Sequence, residues 1–122
     1  MTAFEAITRA LAACPYEATQ VPVRGKGPTY VSYQLVSGKP VSASNGVQRW
    51  IATMQVDIWS RRAVAPELYP VLKALADGGI TVSRWGPQMY EDDTGWHHMP
   101  ITCEYAETAD AQGGQPGAAS GT

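Results

Sequence analysis

The segment VQRWIATMQVDIWS, Val47 to Ser60, carries the longest unbroken period in the chain. Trp50, Ala52, Met54, Val56 and Ile58 fall on one side of an extended backbone, and Arg49, Thr53, Gln55 and Asp57 on the other. Such strict alternation predicts an antiparallel strand with one face on a core. At about 3.4 Å per residue it reaches roughly 45 Å, beyond the usual strand length, so part of it is expected to project past its sheet or to pair with another chain.

Upstream, YVSYQLV (Tyr30 to Val36) sets Val31, Tyr33 and Leu35 against Ser32 and Gln34 and predicts a second strand. The intervening SGKPVSASNG (Ser37 to Gly46) is polar and rich in turn formers, which predicts a long, mobile hairpin loop. Two readings of its length stand side by side: a slack connection, which costs little entropy, or a loop with a role of its own.

Downstream, Leu68, Val71, Leu72, Leu75 and Ala76 form one stripe closed by Gly78-Gly79, which predicts a helix over Ala65 to Asp77. Pro66 suits its first turn, and Pro70 removes one hydrogen bond near that end. Ile80 to Trp85 reads as a strand, Gly86-Pro87 as a turn, and Gln88 to Tyr90 as an extension of that strand. The acidic turn Glu91 to Gly95 leads into a last strand, Trp96 to Tyr105, with Met99, Ile101, Cys103 and Tyr105 inward and Pro100 marking an edge. At the other end, Phe4, Ile7, Ala10, Leu11 and Cys14 share a helical stripe, and Thr2 with Glu5 has the spacing of a capping box. Pro15 ends that helix, and Tyr16 to Pro28 reads as a short edge strand or an extended loop. The order predicts an α+β fold: a mainly antiparallel mixed sheet with two helices packed on one face.

The sixteen residues Glu107 to Thr122 hold no apolar side chain larger than alanine, so a single domain is expected over 1–106 and a disordered Gly/Ala/Ser-rich tail over 107–122. Charge is unevenly placed. Residues 1–62 carry seven Lys and Arg against three Asp and Glu, and residues 63–122 two against eight, for a net −2. The asymmetry is either compensated within one fold or offers opposite patches to a neighbouring copy. No basic patch argues for sequence-specific nucleic acid. Neither a signal peptide nor an apolar run of about 18 residues is present, so no membrane span is expected.

Catalytic signatures are absent. Glu91, Asp92, Asp93, His97 and His98 resemble a metal cluster in composition, but adjacent strand histidines point to opposite faces and no closed shell exists, so they read as an acidic hairpin turn. Asp57 reads as a strand-face carboxylate paired to Arg49 or Arg61 rather than a general base. Gly25-Lys26-Gly27 lacks the phosphate-loop spacing, and Cys14 and Cys103 read as buried thiols. No catalytic residue, cofactor or metal is assigned. Trp59, Trp85 and Trp96, with Tyr30, Tyr69 and Tyr90, sit near element ends. They either make protein contacts or seal the sheet within one subunit.

The succession YVSYQLV, a polar loop, MQVDIWSRR, the helix ELYPVLKALADGGI and GPQMYEDDTGWHHMPITCEY resembles the tail-terminator or tail-completion proteins of long-tailed bacteriophages and prophages over residues 3–106. The resemblance implies a structural virion protein, not an enzyme, assembling as a ring that is typically a hexamer. That ring caps the head-proximal end of the tail tube, ends tube polymerisation and joins tail to head. Implied partners are the tail tube protein and the head-tail connector, with the virion as location and host cytoplasm during assembly. On this reading the interface set is Arg49, Trp59, Arg61, Arg62, Trp85, Tyr90, Glu91, Asp92, Asp93 and Trp96, the arginines facing the acidic turn of a neighbour. The alternatives are a head-completion or connector protein of the neck, a plain dimeric adaptor, and a small α+β enzyme or ligand-binding module.

Overall fold

The computed structural model describes residues 1–44 and 47–108. Its elements are α1 (Ala3–Ala12), β1 (Glu17–Gln20), β2 (Thr29–Ser44), β3 (Val47–Ser60), α2 (Ala65–Asp77), β4 (Thr81–Trp85), β5 (Met89–Tyr90) and β6 (His97–Thr108). The sheet runs β1-β2-β3-β6-β4, with β5 on β6. Only the β1-β2 pair is parallel. The fold is α+β.

Helix α1 begins as its sequence requires. The Thr2 hydroxyl accepts from the Glu5 amide, the Glu5 carboxylate accepts from the Thr2 amide, and both bonds of the capping box are made. Helix α2 has no side-chain cap; Val64 donates its amide to the Gln88 side-chain oxygen instead. Ile7 and Leu11 of α1, Leu68, Val71 and Leu75 of α2, and Val31, Met54, Val56, Ile58, Ile101 and Cys103 of the sheet form one core. All the strand residues in that core share one parity, so both helices lie on the same face of the sheet. Each fully buried aliphatic side chain contributes on the order of 1.5–3 kcal/mol.

Two expectations need correction. The long strand does not project alone: β3 pairs with β2 on one side and β6 on the other, from Arg49 to Ser60. Its neighbours have lengthened to match. The stretch from Ser37 is therefore not a loop, since β2 continues through it to Ser44, paired with β3 down to Ser44↔Val47. Its polar composition misled because β3 supplies the apolar alternation for both strands, and a paired strand needs no apolar run of its own. Asn45 and Gly46 lie outside the described residues. A three-stranded arm results, built from the far halves of β2, β3 and β6. Strand β6 runs two residues beyond the expected domain end, and Glu107 is buried, its carboxylate accepting from the Ala3 amide at the start of α1.

On the outer side of β2, β1 pairs only as far as Tyr33. Among the described residues no strand follows it there. That open edge carries a register irregularity between Leu35 and Ser37, then Lys39 and Pro40, three features that discourage edge-to-edge pairing.

Candidate functional site

The helix-free face of the sheet gathers the side chains with chemistry to offer. Register sets Tyr30 opposite Trp59 and Trp59 opposite His98, so three aromatic rings form one rung across β2, β3 and β6. Tyr30 and Trp59 stack with centroids 6.2 Å apart, and Trp59 and His98 stack at 4.4 Å. The Trp59 indole donates to the Ser32 hydroxyl at 3.0 Å, one rung further along β2.

The β5–β6 turn closes over this rung. Glu91 accepts the Gly95 amide at 2.8 Å, its carboxylate accepts the Thr94 hydroxyl at 2.9 Å, and Gly95 takes a φ of 76° that non-glycine residues seldom adopt. The turn delivers Trp96 edge-on to Tyr30, 5.6 Å between centroids. Arg61, just past β3, lays its guanidinium 4.0 Å from the centre of the Trp96 ring and donates Nη1 to the Thr94 carbonyl. A cavity of about 170 Å³ lies among Val23, Arg24, Tyr30, Trp59, Glu91 and Trp96.

Two polar groups lie under this surface. Asp57, 7% exposed, accepts from the Gln55 side chain at 3.0 Å. Burial pushes its carboxyl above the usual carboxylate range, against that hydrogen bond and the nearby His98. It does not pair with Arg49 or Arg61: the first is eight residues up the strand and the second is committed to Trp96 and Thr94. The His98 Nδ1 is buried, has no hydrogen-bond partner among the described residues, and stands 4.0 Å from the Glu91 carboxylate. Burial also raises the Tyr30 hydroxyl.

Of the expected interface residues, the fold brings together Trp59, Arg61, Glu91 and Trp96. Asp92 and Asp93 are exposed on the same turn, and Tyr90 packs on His97, centroids 4.7 Å apart. Arg62 instead faces α2, with Nε 3.5 Å from the buried Glu67 carboxylate. Trp85 is 48% exposed on β4 at the far sheet edge, and Arg49 lies on the arm, about ten residues along β3 from Trp59. Tyr30, Ser32, Asp57 and His98 complete the site without having been assigned to it. All four fall on the polar parity of their strands, but only the register shows that they meet.

Cys103 is fully buried and its thiol is pushed up to about 12; burial also raises the Cys14 thiol. Neither is disposed to act as a nucleophile. Among the described residues no group of three or more His, Cys, Asp or Glu is placed to hold a metal ion, and no helix is long and apolar enough to cross a membrane. The site gathers stacked aromatic rings, an Arg61 guanidinium held over Trp96 and the carboxylates of an exposed turn.

No family model and no curated protein matches the chain. Among solved structures, a chain from the virion of a native gene transfer agent particle aligns with a TM-score of 0.52 and 11% identity, over 83% of this chain and 87% of that one. At that identity the likeness is one of fold.

Proposed function

We propose that this chain is a structural virion protein that forms a ring, six-membered by resemblance, on the head-proximal end of a phage tail tube. The ring ends tube polymerisation and presents the surface on which the head docks. The observation that carries this reading is the fold shared, over most of both chains, with a component of a gene transfer agent virion. The sequence resemblance independently names a tail role. Two features of the geometry fit a subunit made for assembly: a three-stranded arm formed by the far halves of β2, β3 and β6, held to the start of α1 through Glu107, and exposed Leu35 and Val36 on β2.

The decisive test is the mass of the purified protein by light scattering, alone and with assembled tail tubes, followed by electron microscopy of the mixture. A ring bound at one end of each tube, arresting its growth, is the expected result. Tubes that lengthen unchecked and carry no added density would overturn the reading. A ring that ignores tubes and binds head portals would move the protein to the neck as a head-completion component.

A further inference from the structure

The helix-free face carries unlike charge at its two ends. At the arm, Lys39 lies opposite Ile51 and Arg49 opposite Val41, so both cations share the parity of Asp57 and Trp59. Both are exposed, and neither has an ion-pair partner among the described residues. At the other end, roughly 34 Å away at about 3.4 Å per residue, Asp92 and Asp93 are exposed without ion-pair partners among the described residues. They follow Glu91 in the turn, and Glu91 borders the cavity together with Arg24, Tyr30, Trp59 and Trp96. Arg61 is already engaged with Trp96 and Thr94, and Arg62 with Glu67, so neither is the cation that a neighbour's acidic turn would take from this end, whereas Lys39 and Arg49 are exposed together on one face of the arm.

We infer that the arm of one copy docks on the acidic turn of a second copy, with Arg49 and Lys39 set against Asp92, Asp93 and Glu91 beside the Tyr30–Trp59–Trp96 rings. Opposite charge selects this register over arm against arm, where four cations would meet. The blunted edge of β2 means the arm engages through side chains rather than by adding a strand. Trp59 is already stacked by Tyr30 and His98, and Trp96 already carries Arg61, so the incoming cations meet the carboxylates of the turn rather than a ring face, and Arg24 on the cavity rim keeps them at the turn. Because the two sites are different patches, the contact is heterologous and repeats around an axis to give a ring; used reciprocally it gives a face-to-face pair. The inference rests on the self-assembly in the ring reading and specifies its contact.

The test uses the full chain with Arg49→Glu/Lys39→Glu and with Asp92→Lys/Asp93→Lys, each alone and then mixed, with mass read at low and moderate salt, free and on tail tubes. All four positions are exposed, so folding should survive, and circular dichroism checks it. Each charge-reversed variant is expected to weaken self-association by about tenfold or more, and mixing the two to restore it. In parallel, Arg49→Cys and Asp92→Cys chains are mixed with a short bis-maleimide; the native thiols are buried. Cross-linked pairs are expected from the mixture and not from either chain alone. Assemblies that form equally in every variant, with no mixed cross-link, would overturn the contact and leave the ring standing. Mixed cross-links on a species with the mass of two chains would keep the contact and overturn the ring. A monomer under all conditions, without cross-links, would overturn both.

Discussion

Trp59 and His98 sit directly opposite each other on β3 and β6 with their rings stacked, planes 19° apart and centroids 4.4 Å apart. The contact makes the helix-free face stiff where an uncovered sheet face would ordinarily be solvated. Trp59 also stacks on Tyr30 and bonds Ser32, so one side chain ties three strands together. Trp59→Leu should destabilise the chain by about 2–3 kcal/mol, less than full truncation in a closed core because the ring is only half-buried. Urea unfolding measures it, and a loss under about 0.5 kcal/mol would mean that the rung does not hold the strands.

Asp57 gives a pH signature. Its folded pKa lies above its unfolded value, so folding favours the protonated carboxyl. The stabilisation is full below the unfolded value of about 3.9 and is lost as pH rises through the raised folded value. Asp57→Asn, which keeps an oxygen for the Gln55 amide, should therefore be the more stable protein at pH 7. Its advantage should vanish by about pH 3.5. Equal urea midpoints at both pH values would show that the carboxylate is comfortably solvated.

Gly78, the residue that ends α2, lies tight against Ala10 of α1. A Cβ there would lie 2.4 Å from the Cβ of Ala10 and 3.0 Å from its Cα, so Gly78→Ala must push α1 away. The cost should be about 1–3 kcal/mol. Adding Ala10→Gly should recover part of it despite the helix penalty of glycine, giving a non-additive double-mutant cycle. Strict additivity would argue that the helices slide apart freely.

The Cys103 thiol, fully buried and raised to about 12, should resist aromatic disulfide reagents at pH 8 in the native protein. Its modification should appear only as the chain unfolds, with the denaturant dependence of global opening. Rapid reaction in native buffer would place Cys103 at an opening that the packed sheet does not have.

Glu107 couples the end of β6 to the start of α1 through the Ala3 amide. A carboxylate at a helix N-terminus also meets the positive end of the helix dipole. Glu107→Ala should cost about 1.5–3 kcal/mol, and Glu107→Gln less, since the amide oxygen still accepts. Thermal melting of the two variants gives the ranking, and the reverse order would point to volume rather than the bond.

Local order was legible wherever the cause was local. Thr2 and Glu5 announce the first helix by spacing, and the alternation from Trp50 to Ile58 announces both β3 and its buried face. The arm was not legible, because Ser37 to Ser44 is held in a strand by its pairing with β3 rather than by its own composition. The site was half legible. Trp59, Arg61 and Trp96 stood out as residues, but Tyr30, Trp59 and His98 are separated by 29 and 39 positions in the chain and meet only through register. The parallel pairing of β1 is likewise invisible in a segment of four residues.

Strand β3 is bonded on both flanks from Arg49 to Ser60. A pull directed along it loads the two ladders in shear, where many bonds must fail together, whereas peeling breaks them singly from one end. The chain is therefore expected to resist tension along the strand far better than tension across it.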